Sequence, residues 1–142
     1  MTLLLNGLLF VSPKWETDFE KAKETARADH KMILLNFSGS DWCGPCIRLH
    51  DEVFENSVFA NYAGEHLVLV NADFPRLRKN HLTAEQQKKN DQLADKYDKD
   101  GIFPMTLLLS PDGKVLKKWE GYPKTSAVAF TEEIKALENA NK

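Results

Sequence analysis

With only two cysteines in 142 residues, the chain has no material for a disulfide framework. Blocks of like charge, low-complexity tracts and internal repeats are also missing, and no apolar run is long enough to span a bilayer. A net charge of −2 supplies no global field to recruit nucleic acid or an anionic membrane. The four histidines, His30, His50, His66 and His81, show no paired ligand spacing, and two cysteines alone cannot complete a four-ligand zinc site. Covalent haem attachment needs a His directly after the second Cys, where Ile47 stands. What remains is an ordinary globular composition, 42% apolar and 28% charged, in a length that suits one domain with its own core.

Both cysteines fall in one short stretch, Asp41-Trp42-Cys43-Gly44-Pro45-Cys46. It follows the apolar run Ile33-Leu34-Leu35-Asn36-Phe37 and precedes a segment with helical patterning. A strand feeding the pair into a helix start sets Cys43 beside unsatisfied backbone N–H groups and the positive end of the helix dipole. Both favour the thiolate, which is the nucleophile. Cys46, about one turn on, is placed to attack a mixed disulfide made by Cys43. Gly44 permits a tight turn, and Pro45 presets φ where its missing N–H matters least. The spacing predicts a dithiol–disulfide redox centre.

Along the chain, residues 3–11 are apolar enough for a signal core. No Lys or Arg precedes them, however, and no small-x-small cleavage pattern follows before Pro13. Residues 1–14 are therefore read as an N-terminal arm or edge strand, with a remnant export signal as the alternative, and 15–142 as the domain. Trp15, Phe19, Ala22 and Ala26 predict a helix over 15–30. Residues 32–37 and 66–73 read as buried strands, the second stopped by Phe74-Pro75. Ile47, Leu49, Val53 and Phe54 carry the helix after Cys46, with His50 an exposed residue on its polar face. Ser57 is expected to cap a following helix that Gly64 ends. Residues 76–89 hold a basic excess, read as a solvated face or a surface for an acidic protein partner. Thr83 with Gln86 forms a capping pattern for a helix to Tyr97. Runs at 105–109 and 115–119 flank Ser110-Pro111-Asp112-Gly113-Lys114 as a hairpin, and a last helix covers 126–139.

Trp42-Cys43-Gly44-Pro45-Cys46 resembles the active-site motif of the thioredoxin family. Ile102-Phe103-Pro104-Met105-Thr106 resembles the loop in which that family keeps a cis-proline facing the cysteines. The resemblance covers about residues 15–140, and the segment between Phe74 and Pro104 looks closer to bacterial thiol–disulfide interchange proteins than to short thioredoxins. It implies a three-layer α/β/α sandwich around a central mixed sheet and a thiol–disulfide oxidoreductase that reduces protein disulfides. Cys43 and Cys46 are then catalytic. Trp42, Gly44, Pro45 and Pro104, with Pro104 cis, support them, and Trp42, Phe103 and Pro104 meet substrate. No organic cofactor or metal is implied, because the dithiol itself carries two electrons. The implied partners are disulfide-bearing proteins and a reductant protein, met by a monomer with no membrane span; an exported, periplasmic setting is favoured over the cytoplasm.

One departure stands out. Thioredoxins keep a buried Asp in the strand before the motif, and here Asn36 occupies that place. Asn is no general base, so Asp41, a nearby Glu such as Glu52, or water takes the role, or resolution by Cys46 is slower. Two other functions share the motif: an oxidase or isomerase of an exported folding system, and a redox-silent binding module.

Overall fold

The computed structural model describes residues 12–142. Five strands, β1 (Trp15–Glu16), β2 (Met32–Ser38), β3 (Leu67–Asp73), β4 (Met105–Leu109) and β5 (Val115–Glu120), form one sheet in the order β1-β3-β2-β4-β5. β1, β3 and β2 run parallel, whereas β4 is antiparallel to β2 and β5 to β4. The sheet is therefore mixed, as the terminal hairpin requires. β2, β3 and β4 are continuous apolar runs because helices cover them on both faces. On one face, α1 (Phe19–Asp29) and α4 (Ala84–Tyr97) pack Phe19, Ala22, Leu93 and Tyr97 onto Ile33, Leu35, Val70 and Leu107. On the other, α3 (Ser57–His66) and α5 (Ala127–Ala140) pack Phe59, Phe130 and Ile134 onto Leu34, Leu69 and Leu108. The result is the three-layer sandwich.

Between β2 and α3 lies the segment that carries the cysteines. α2 (Gly44–Leu49) is a short α-helix, and His50–Phe54 continue it as a π turn closed by the Glu55 N–H donating to the His50 carbonyl at 2.9 Å. Leu49, Val53 and Phe54 on this segment are buried in the second core, so the whole unit is clamped to the sheet.

Several boundaries differ from expectation for identifiable reasons. Trp15 lies in β1, paired with Leu69, rather than in a helix, because Asp18 caps α1 only afterwards by accepting the Lys21 N–H. Asn56, not Ser57, caps α3, its side chain accepting the Val58 N–H at 2.9 Å. Gly64 sits inside α3, which runs on to His66 until Leu67 turns extended. Thr83 caps α4 through the Gln86 N–H, as its pattern predicts. The proposed arm at residues 1–14 falls mostly outside the described residues; the edge strand that is described is Trp15–Glu16.

Candidate active site

Cys43 and Cys46 are joined in a disulfide with their Cα atoms 5.2 Å apart. Cys43 is the N-cap of α2, in extended conformation, and its Sγ accepts the Cys46 N–H at 3.3 Å. A helix-start N–H aimed at sulfur is the interaction that stabilises a thiolate once the pair is reduced. Pro45 occupies the first turn, where no donor is lost. Upstream, the Gly39 carbonyl accepts the Cys43 N–H at 2.9 Å, tying the turn back to the strand end. Gly39 is there for space: a Cβ on it would overlap the Trp42 indole.

Trp42 is held from three sides. Its indole N–H donates to the Phe74 carbonyl at 2.8 Å, the Arg76 guanidinium lies 3.6 Å from the ring centroid, and Phe103 meets it edge-on at 5.5 Å. Phe74 also meets Phe103, at 5.4 Å, so Trp42, Phe74 and Phe103 form one aromatic wall beside the cysteine turn. The Phe103–Pro104 peptide is cis, and the Pro104 carbonyl accepts the Gly121 N–H at 2.8 Å.

Asp41 fastens the loop after β3. Its carboxylate accepts the Arg76 and Leu77 N–H groups, each at 2.9 Å, and the Asn80 amide at 3.1 Å. The Arg76 N–H in particular holds this carboxyl below the usual Asp value. Part of the basic stretch is thus bound to the cysteine turn. Arg76 and Phe74 are site residues that sequence reasoning missed. The Phe74-Pro75 pair signalled only a strand end, and nothing in its spacing showed that it would return to Trp42.

Behind Cys46 the lining mixes polar side chains with the apolar Trp15, Ile47 and Phe54 and holds no carboxylate among the described residues. Asn36 and Thr106 face each other across β2 and β4, and the Asn36 amide donates to the Thr106 hydroxyl at 2.9 Å with both residues buried. A cavity of about 360 Å³ opens there, lined by Cys46, Asn36, Asn71, Ser38, Trp15 and His50 among others. The carboxylates suggested as bases lie elsewhere: Asp41 in the loop anchor, Glu52 accepting the Tyr122 hydroxyl. His50 is half exposed, in keeping with the polar helix face, yet it also borders the cavity.

Comparison with known proteins agrees with this geometry. A family model described as a thioredoxin-like domain matches residues 19–138. The chain is 37% identical over 123 residues to the disulfide bond reductase DsbH of Chlamydia pneumoniae, spanning 87% of this chain and 71% of that protein. A solved structure of a DsbH oxidoreductase superposes with a TM-score of 0.84 at 34% identity, covering 98% of this chain and 94% of the other. A thioredoxin from Thermus thermophilus superposes at 0.66 with 15% identity, covering 89% and 88%; that is a likeness of fold alone.

Proposed function

This chain belongs to the thioredoxin-like family and is a thiol–disulfide oxidoreductase, and we propose that it works as a reductase of protein disulfides in which Cys43 attacks and Cys46 resolves. The observation that carries the assignment of roles is the helix start: Cys43 caps α2 and receives the Cys46 N–H, whereas Cys46 lies one turn inside. The Cys43 thiolate attacks one sulfur of a substrate disulfide. A Cys43–substrate disulfide forms, and the other substrate sulfur leaves as a thiolate that takes a proton from water. Cys46 then loses its proton and attacks Cys43 Sγ; the second substrate sulfur leaves and is protonated. Two electrons pass to the substrate, and the Cys43–Cys46 disulfide remains for a reductant protein to reopen. The dithiol carries both electrons, so the cycle calls for no organic cofactor.

Trp42 and Phe103 face substrate in this reading, with Phe74 behind them. Their joined rings give an extended segment an apolar surface beside the sulfurs, and backbone groups next to Pro104 pair with it in the manner of an added strand. Gly44 and Pro45 set the turn.

Equilibration against glutathione or dithiothreitol buffers, with tryptophan fluorescence as the probe, tests the direction. A potential more negative than the glutathione couple is expected; one well above it reverses the assignment to an oxidase or isomerase. Cys46→Ser is expected to accumulate mixed disulfides on Cys43. Full function in a Cys43→Ser, Cys46→Ser protein would show a binding module instead.

A further inference from the structure

We infer that His50 takes the proton of Cys46 when the mixed disulfide is resolved, through water in the cavity behind the second cysteine. The inference rests on the reductase reading above. Cys46 is 4% exposed, and it attacks as a thiolate, so its thiol proton needs an acceptor close by. The residue in the expected place, Asn36, cannot accept a proton and already donates to Thr106.

The nearby carboxylates are committed. Asp41 holds three donors of the 76–80 loop, and Glu52 holds the Tyr122 hydroxyl. Asp73 accepts the Ser40 N–H, the Ser40 hydroxyl and the Phe74 N–H. None of the three borders the cavity. The sheet presents Trp15 from β1, Asn36 and Ser38 from β2 and Asn71 from β3, none of them ionisable, and the cysteine turn adds Ser40. Apart from Cys46 itself, His50 is the one ionisable side chain among the described residues that line the cavity.

The cavity can carry a proton between them. A water occupies about 30 Å³ of liquid, so about 360 Å³ admits several. Trp15 brings a buried indole N–H that has no protein acceptor among the described residues, and buried donors of this kind are served by water.

The π turn supplies the remaining part. Residues five apart on an α-helix diverge by about 140°. The wider turn at His50–Phe54 instead brings Glu55 Oε1 to 3.3 Å from His50 Nε2. Glu55, the one carboxylate within ion-pairing distance of His50 among the described residues, fixes the tautomer with hydrogen on Nε2. Nδ1 is left as the acceptor. The step balances: the Cys46 S–H proton passes through water to Nδ1, the new S–S bond forms to Cys43 Sγ, and the substrate sulfur leaves with the electron pair of the broken bond. His50 then returns its proton to solvent or to that sulfur.

The test is a single-turnover reaction of the reduced protein with a chromogenic aryl disulfide in stopped flow. The first thiol released reports Cys43 attack and the second reports resolution. His50→Gln is expected to slow the second phase by about a hundredfold, the lower end of the usual worth of a positioned base, and to leave the first unchanged. Wild-type resolution should depend on pH in a way that the variant loses, and added imidazole should restore rate to the variant. Asn36→Asp in the His50→Gln background should also restore it by returning a carboxylate to the cavity. A second phase with unchanged rate and pH profile in His50→Gln would overturn the inference. Absence of the first phase in the wild type would instead overturn the reductase reading.

Discussion

The buried pair Asn36–Thr106 offers a quantitative test of how this site is built. The amide and hydroxyl meet at 2.9 Å across β2 and β4, with Asn36 5% and Thr106 0% exposed. The bond itself is worth about 1 kcal/mol net, but stranding one buried partner costs about 1–3 kcal/mol. Thr106→Val keeps the side-chain shape and orphans the Asn36 amide. Because Asn36 borders the cavity, water can reach it, and the loss should sit near the lower end, about 1 kcal/mol. Asn36→Leu orphans the fully buried Thr106 hydroxyl, and a loss of about 2 kcal/mol is expected. The double variant removes both polar groups and should regain most of this, giving a coupling of about 1–2 kcal/mol in a double-mutant cycle. Urea denaturation of the oxidised proteins measures it with the disulfide state held constant. Losses that simply add, within about 0.5 kcal/mol, would refute the reasoning. They would mean the two groups find other partners and do not depend on one another.

Gly39→Ala forces a Cβ into the Trp42 indole, so the ring must leave its bond to Phe74 and its stack under Arg76. A loss of about 1–3 kcal/mol with a shifted tryptophan spectrum is expected, and an unaltered spectrum with wild-type stability would count against the packing described. Burial raises the Asp98 carboxyl above its usual value, with the Ile102 N–H opposing. The folded state therefore holds a proton that the unfolded chain releases, and this contribution to stability falls as pH rises from the usual Asp range through the raised value. Asp98→Asn keeps an oxygen for Ile102 and removes the charge, so that slope should be gone, and an unchanged slope in pH-dependent melts would contradict it. Asp41→Asn should speed amide exchange at Arg76 and Leu77 without global destabilisation. In the wild type the same protection should persist above the usual Asp value and be lost as pH falls through the depressed one; exchange independent of both changes would show that the loop is held by something else.

The sequence by itself determined whatever depends on neighbours along the chain. The cysteine spacing with Gly44 and Pro45 specified the redox turn. Apolar runs at β2, β3 and β4 specified buried strands, and the Thr83–Gln86 pattern specified a helix start. These signals are local because periodicity, caps and turns are properties of a few consecutive residues. Local signals also misled at Trp15, whose helical spacing yielded to strand pairing with Leu69, and at Ser57, where Asn56 supplied the better cap. Tertiary structure alone decided the rest of the site. Asn36 met Thr106 across 70 positions, Trp42 met Phe74 across 32, and His50 came to border the same cavity as Trp15 and Asn71. No short window contains both partners of any such contact. Strand order and helix docking bring them together, so the motif announced the chemistry while the packed fold chose the groups that surround it.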